Sequence, residues 1–367
     1  MYSLPLVGEG ELIFVGFGLG DLGLTVKGLE MVKNADRVYV ETYTNYTPDW
    51  VVERLEELSG RRFERVSRKE LEELGGAALL ETASDSRVVF LVPGDPFMAT
   101  THIALRIEAE KKGIKTRVVN SSSIVAAAAG ACGLQIYKFG ESATVVFPDG
   151  GTVSMKPYDT VLKNLERGLH TLLLLDYRAE EDRAMTVNYA LRLLRSLEKI
   201  RGMGVFSDDR LVVGLARLGY ENCKVKGGPL KDILNEDFGE PPHCIVIPGS
   251  LHFVEVEALK ILADVEETPS KRGVGARSYI PLDRLNRYIS GVEKVFRDIR
   301  LLESSRLVDR RDVDKALDWA RSYYEDSRAF RDRGDLVSSL VAVAYCEGIL
   351  EGLRLLNLVE FKWEGEV

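Results

Sequence analysis

An apolar run, Val88–Val92, leads directly into Pro93-Gly94-Asp95-Pro96, so a carboxylate stands where a strand gives way to a turn and a helix start. Open α/β sheets hold their ligands at strand ends of this kind. Gly94 lets the backbone reverse, Asp95 can accept hydrogen bonds from free amides as an N-cap, and Pro96 suits a first helical position. Taken alone, the four residues leave two roles open for Asp95, a helix cap or a ligand contact.

Two further stretches could do chemistry. Ile13-Phe14-Val15-Gly16-Phe17-Gly18-Leu19-Gly20-Asp21 passes from a strand through alternating glycines, which let a ligand approach the backbone. It departs from the dinucleotide fingerprint, because the third glycine comes too early and Asp21 would face an anionic pyrophosphate. Glu41, ending the second strand where a ribose-binding acid would lie, keeps a nicotinamide enzyme as an alternative. Downstream, Asn120-Ser121-Ser122-Ser123-Ile124 sets hydroxyls at a strand end before an alanine-rich helix, where they cap that helix or touch a ligand. His243, after Pro241-Pro242, either presents its ring to a cleft or satisfies a loop, and His102 and His252 pose a similar choice. The chain has no Gly-x-x-x-x-Gly-Lys phosphate loop, His-Glu-x-x-His helix or Ser-His-Asp order, so hydrolase and kinase readings lack an anchor.

The elements that must position these residues follow from periodicity. Strands are predicted at Leu12–Phe17, Arg37–Glu41, Val88–Val92 and Thr116–Val119, with helices at Val26–Asn34, Trp50–Leu58, Lys69–Leu80, Ile103–Lys112 and Ile124–Ala131. That alternation is the signature of a mostly parallel sheet with helices on its faces. A second α/β unit has apolar runs at Ala143–Phe147, Leu172–Leu175, Leu211–Ala216 and Ile245–Ile247, and helical patterns at Tyr158–Arg167, Val187–Lys199, Leu230–Glu236 and Val254–Leu262. Turns are predicted at Gly150-Gly151 and Gly227-Gly228, and a hinge at residues 133–140. A cleft between two such lobes is a natural small-molecule site.

Beyond Ala263 the composition turns polar. We read residues 1–134 and 135–263 as two α/β lobes, 264–280 as a linker and 281–367 as an all-α domain. In the last, Leu282, Leu285, Ile289, Val292, Phe296 and Ile299 form one seam, followed by helices at Asp312–Arg331 and Leu336–Leu355. Three amphipathic helices can bury such a seam among themselves, though a docking or dimer surface is an alternative.

At 367 residues and 45% hydrophobic, the chain can build these cores without staples. A net charge of −8 argues against a general nucleic-acid surface, and residues 264–367, with 18 Lys+Arg against 20 Asp+Glu, are no basic tail. Cys132, Cys223, Cys244 and Cys346 show no paired or metal-ligand spacing to the four histidines, which predicts free thiols in a reducing cytoplasm and no metal. Met1–Gly10 lacks a basic segment and a long apolar core, so neither secretion nor membrane spanning is expected.

Taken together, these stretches resemble the diphthine synthase family, within the tetrapyrrole-methylase-like class of S-adenosylmethionine-dependent methyltransferases. The resemblance runs from about Glu11 to Leu262. It is carried by Gly16-Phe17-Gly18-Leu19, Thr25-Val26-Lys27-Gly28-Leu29-Glu30, Pro93-Gly94-Asp95-Pro96, Ala99-Thr100-Thr101-His102 and Ile136-Tyr137-Lys138-Phe139-Gly140. Arg167-Gly168-Leu169-His170-Thr171-Leu172, Asp237-Phe238-Gly239-Glu240-Pro241-Pro242-His243 and Leu251-His252 extend it. The Pro-Gly-Asp-Pro turn belongs to the wider class, whereas Tyr-Lys-Phe-Gly and Thr-Thr-His point to the narrower family.

The resemblance implies S-adenosylmethionine folded in a cleft between two α/β lobes, with Leu19, Asp95, Met98, Ser123, Ile124, Leu175, Leu218 and His243 at the cofactor-contact positions. It implies a homodimer and repeated methylation of the amine on a 3-amino-3-carboxypropyl-modified histidine of translation elongation factor 2, giving diphthine. No general base is implied. Gly20-Asp21-Leu22-Gly23-Leu24 and Ser250 depart from the archaeal pattern, which bears on substrate contacts. The region after Asp264 lies outside this resemblance and looks like an archaeal helical domain of unknown function. A corrin precursor as acceptor, or a silent core whose helices recruit a partner, are the competing readings.

Overall fold

The computed structural model describes residues 10–266, 282–302 and 308–363. The chain divides into two compact units, Met1–Gly273 and Val274–Val367.

The first lobe runs β1 (Glu11–Gly16), α1 (Val26–Lys33), β2 (Arg37–Glu41), α2 (Asp49–Ser59), β3 (Glu64–Val66), α3 (Ala77–Ala83), β4 (Arg87–Val92), α4 (Ile103–Lys111), β5 (Lys115–Val119) and α5 (Ile124–Cys132). The sheet order is β3-β2-β4-β1-β5, with every pairing parallel. A parallel sheet is covered on both faces, so its central strands read as continuous apolar runs. In β1, Leu12 and Phe14 enter one core while Ile13 and Val15 enter the other. Gly16 pairs with Val92, so the glycine loop and the Pro-Gly-Asp-Pro turn leave the sheet side by side.

The helix predicted over Lys69–Leu80 is broken. A π-helical turn at Lys69–Glu73 is separated from α3 by Gly75 and Gly76, whose φ angles of +63° and +66° interrupt a right-handed helix. β3 escaped the sequence reading because its three residues are charged or half-exposed and show no apolar alternation.

The second lobe runs β6 (Ala143–Val145), α6 (Lys156–Glu166), β7 (Thr171–Leu175), β8 (Tyr177–Arg178), β9 (Arg183–Ala184), α7 (Val187–Arg201), β10 (Leu211–Ala216), β11 (Lys224–Pro229), α8 (Leu230–Ile233), β12 (His243–Ile247) and α9 (Phe253–Leu262). Its mixed sheet has the order β11-β10-β12-β7-β6. Gly227-Gly228, read as a turn, lies inside β11 opposite Val213 and Val212. The missing side chain has a packing reason: a Cβ on Gly227 would sit 2.6 Å from Val265 Cγ2. The helix predicted over Leu230–Glu236 shortens to the four residues of α8. Gly150 and Gly151 do form a turn, closed by the Asp149–Thr152 bridge.

The second unit contains α10 (Leu282–Asp298), β13 (Arg300–Leu301), α11 (Arg310–Asp332), α12 (Leu336–Leu355) and β14 (Val359–Glu360). The predicted seam is internal packing from Leu285 onward, and the Leu282 side chain lies outside the described residues. Leu285, Ile289 and Val292 are buried, and Phe296 and Ile299 pack against the same core. α12 is long and apolar enough to cross a membrane, but Val343, Cys346, Leu350 and Leu353 bury one face of it in that core. Of the predicted linker, residues 267–280 lie outside the described residues.

Candidate active site

Because β1 and β4 are neighbours, their loops can bond directly. Gly18 N donates to Gly94 O at 3.1 Å and Gly94 N to Gly18 O at 2.9 Å, with both glycines at positive φ. Gly16 admits no side chain, since a Cβ would lie 2.4 Å from Gly94 O.

Asp95 is buried at this crossing. Its Oδ1 accepts from Phe97 N at 3.1 Å, while Oδ2 accepts from Asn120 Nδ2 at 3.0 Å and Ser121 N at 3.3 Å. The helix-cap expectation is therefore corrected: Asp95 caps its own turn and ties the loop after β4 to the loop after β5. α4 begins only at Ile103, so Pro96 is not a first helical residue. Ala99, at φ +59°, holds the intervening segment out of a helix. A non-glycine residue in that region is strained by about 1 to 3 kcal/mol and persists only where its surroundings fix it.

The serine run divides its work. Ser121 Oγ donates to Gly23 O at 3.0 Å and Ser122 Oγ accepts from Leu19 N at 3.1 Å, both anchoring the glycine loop. Ser123 caps α5 through Val125 N at 3.3 Å. Capping is thus its role in the fold, at a position that also faces the cleft.

From the second lobe, the C-terminal end of β7 supplies Leu174 and Leu175, and the end of β10 leads to Arg217 and Leu218. His243 opens β12. Val187 N donates to its Nδ1 at 3.3 Å and its Nε2 donates to Glu240 O at 3.0 Å, so both nitrogens are engaged. Burial pushes this imidazole below its ordinary range. The Arg217 guanidinium donates to the carbonyls of Phe238, at 2.7 Å, Asn222 and Glu240. Ring and guanidinium both hold loops, and a neutral ring bonded on both sides is poorly placed to take a proton.

All eight positions named from the sequence, Leu19, Asp95, Met98, Ser123, Ile124, Leu175, Leu218 and His243, line one cavity of about 130 Å³. Thr44, Asn45, Thr100 and Arg217 also line it and were missed. Thr44 and Asn45 follow the end of β2, so the strand-end rule that singled out Asp95 could have found them. A larger depression of about 870 Å³ beside α3 and α4 is lined by none of the cleft residues.

The stretches diagnostic of the narrower family lie partly elsewhere. Glu255, fully buried in α9, accepts from Gln135 N at 3.0 Å, His252 N at 2.8 Å and His170 Nε2 at 3.1 Å, and pairs with the Lys138 ammonium. Burial alone would raise this carboxyl, but the donors outweigh it and hold it down at about 2. His252 serves as the N-cap of α9 in a reciprocal capping box with Glu255. Gly140 packs on Asn164, and Ser250, the departure from the archaeal pattern, gives its carbonyl to Lys138 Nζ at 2.6 Å. Tyr-Lys-Phe-Gly, Leu-His-Thr and Leu-His thus meet in one structural hub.

Residues 11–234 match the family described as Tetrapyrrole (Corrin/Porphyrin) Methylases, and residues 287–359 match one described as Protein of unknown function (DUF357). The chain belongs to the tetrapyrrole methylase family, and it is an S-adenosylmethionine-dependent methyltransferase.

Its relatives are more specific. A diphthine synthase of Methanocaldococcus jannaschii is 44% identical over 256 residues, 69% of this chain and 99% of that protein. One of Methanosphaera stadtmanae is 43% identical over 70% of this chain and 97% of its own. Among solved structures, a diphthine synthase crystal structure matches with a TM-score of 0.62 at 40% identity, covering 70% of this chain and 96% of that one. A putative diphthine synthase from Entamoeba histolytica matches at 0.63 and 34% identity, covering 71% and 100%.

Proposed function

We propose that the chain is a diphthine synthase that repeatedly methylates the amine of a 3-amino-3-carboxypropyl-modified histidine of translation elongation factor 2. The observation that carries the site assignment is the convergence of eight positions, drawn from six separate loops and strand ends, on one cavity. Leu19, Met98, Ile124, Leu175 and Leu218 give it apolar walls, while Asp95 and the hydroxyls of Thr44, Thr100 and Ser123 give it polar edges. That mixture suits an adenosyl group with a charged, hydrogen-bonding tail, and these residues would hold it.

When bound, S-adenosylmethionine supplies an activated methyl on a positively charged sulfur. The chain's task is then to exclude water and align an unprotonated amine for in-line attack. The engagement of both His243 nitrogens fits a site that works by positioning. A homodimer in the cytoplasm is the accompanying expectation, supported by the resemblance alone.

Incubation with labelled S-adenosylmethionine and elongation factor 2 bearing the precursor should label the factor; label entering only a corrin precursor would overturn this reading. Asp95→Ala removes a carboxylate holding three donors across two loops. At about 1.5 to 3 kcal/mol per bond to a charged group, cofactor affinity should fall on the order of a hundredfold or more. Unchanged calorimetric affinity in this variant would refute the site assignment.

A further inference from the structure

Glu41 and His102 were singled out in the sequence, and neither faces the cofactor cavity. They sit behind it, both buried, with His102 2% exposed and Glu41 0%. Each is bonded to a loop that forms the wall. Glu41 Oε2 accepts from Tyr43 N and Thr44 N, each at 3.0 Å, and Oε1 accepts from Thr44 Oγ1 at 2.5 Å. His102 Nδ1 lies 3.2 Å from Pro96 O, the carbonyl that also accepts from Thr100 Oγ1 at 2.6 Å. Thr44 and Thr100 both line the cavity, and between Pro96 and Thr100 lies the strained Ala99.

The geometry also places a proton. A carbonyl cannot donate, so His102 Nδ1 carries the hydrogen and Nε2 of the neutral ring is a bare acceptor. Nε2 faces Glu41 Oε1 at 3.7 Å and has no hydrogen-bond partner among the described residues. Two acceptors do not attract; a proton on Oε1 makes the pair a donor facing an acceptor, and the contact has only to close from 3.7 Å to become a bond. Burial pushes Glu41 up to about 7 against the opposing pull of its Thr44 and Tyr43 donors and Arg68, and pushes His102 down. Both shifts favour the neutral pair over a buried ion pair.

The other charged groups near the pair come from the π-helical turn and its approach. The Arg68 guanidinium lies over the Tyr43 ring at 5.3 Å and 3.9 Å from Glu72, so its charge is shared. Tyr43, buried and pushed above its ordinary range, stands edge-on to His102 at 6.5 Å. On the strand side the Phe90 ring meets the imidazole, edge-on at 5.2 Å.

We propose that Glu41 and His102 are positioning residues that share one proton and clamp the Thr44-Asn45 loop to the Pro96–Thr100 loop, so that the cofactor wall is rigid when the proton is present and loosens when it leaves. The inference rests on the cofactor assignment above. It predicts that cofactor affinity falls as the pH rises through neutrality, by about tenfold for the loss of one bridging hydrogen bond.

Two measurements on the full chain separate this idea from the assignment it rests on. The chain has four histidines, so its imidazole ¹⁵N resonances can be assigned by single substitution. His102 should show a protonated Nδ1 and a step near pH 7 at Nε2 that vanishes in Glu41→Gln. In parallel, calorimetry with S-adenosylhomocysteine from pH 5.5 to 8.5 should give declining affinity in the wild type and a flat profile in Glu41→Gln. His102→Ala should be flat and weaker throughout, and His102→Gln, which can still donate to Pro96 O, should recover part of the loss. A step in the resonance with no ligand uptake at any pH would overturn the cofactor assignment and leave the shared proton standing. A wild-type resonance without the step, or identical affinity profiles in wild type and Glu41→Gln, would overturn the clamp.

Discussion

Two buried glutamates each face a histidine, one in each lobe, and their carboxyls are shifted in opposite directions. Glu255 has a lysine ammonium in direct contact and three further donors, and its carboxyl stays ionised down to about 2. Glu41 has two amides and one hydroxyl but, among the described residues, no lysine or arginine in contact, and burial carries it to about 7. Neither carboxyl is open to solvent, but Glu41 lies deeper among protein atoms than Glu255, so the depth of burial and the donors both separate them. Each carboxylate accepts from three donors, and the Lys138 ammonium together with shallower burial makes Glu255 a fixed hub where Glu41 can titrate near neutrality. The hub ties the 3-10 turn Ile136–Lys138, His170 and α9 together, away from the cavity. The Glu41–His102 pair sits behind the cavity wall that Thr44 and Thr100 help to form.

Removing the cation should expose this contrast most sharply. Lys138→Met leaves Glu255 as a buried charge without its counterion, which costs about 3 to 5 kcal/mol in denaturant unfolding. If Glu41→Gln destabilises as much, the two sites do not differ as described. The pH dependence sharpens the point. Glu255 is depressed below its unfolded value of 4.5, so its contribution is present above 4.5 and lost as the pH falls through about 2. That limb should amount to on the order of 3 kcal/mol and disappear in Glu255→Gln, read as stability against pH. Glu41 is raised instead, so the stability linked to its neutral form is complete below 4.5 and lost as the pH rises through about 7. A smaller effect tests the hub's packing: on Gly140 a Cβ would lie 2.1 Å from Asn164 Oδ1, and Gly140→Ala should cost about 1 to 3 kcal/mol without changing cofactor affinity. Loss of affinity at matched stability would show that the hub reaches the cleft after all.

Much of this was legible from residue patterns. The strands of the first sheet announced themselves because both faces are buried, and α12 was located to the residue because its apolar run ends at clear polar breaks. Asp95 was legible as a site residue from its strand end, but its partners were not. Asn120 and Ser121 lie some 25 residues away and meet it only because β5 and β4 flank β1. β11 was hidden because its Gly-Gly pair, a turn signal by composition, is there to admit Val265. His243 read as cleft or loop, and it is both.

Local periodicity and turn chemistry therefore determined the elements, the two α/β lobes and the helical seam, because those depend on neighbours within a few residues. The resemblance carried by the motifs named eight positions, and the fold brings them to one cavity. Protonation was decided only by tertiary structure, since the count of donors converging on a buried carboxylate comes from strands and loops distant in the chain. Glutamate and histidine occur in both pairs, and no reading of the letters distinguishes the one that is fixed from the one that titrates.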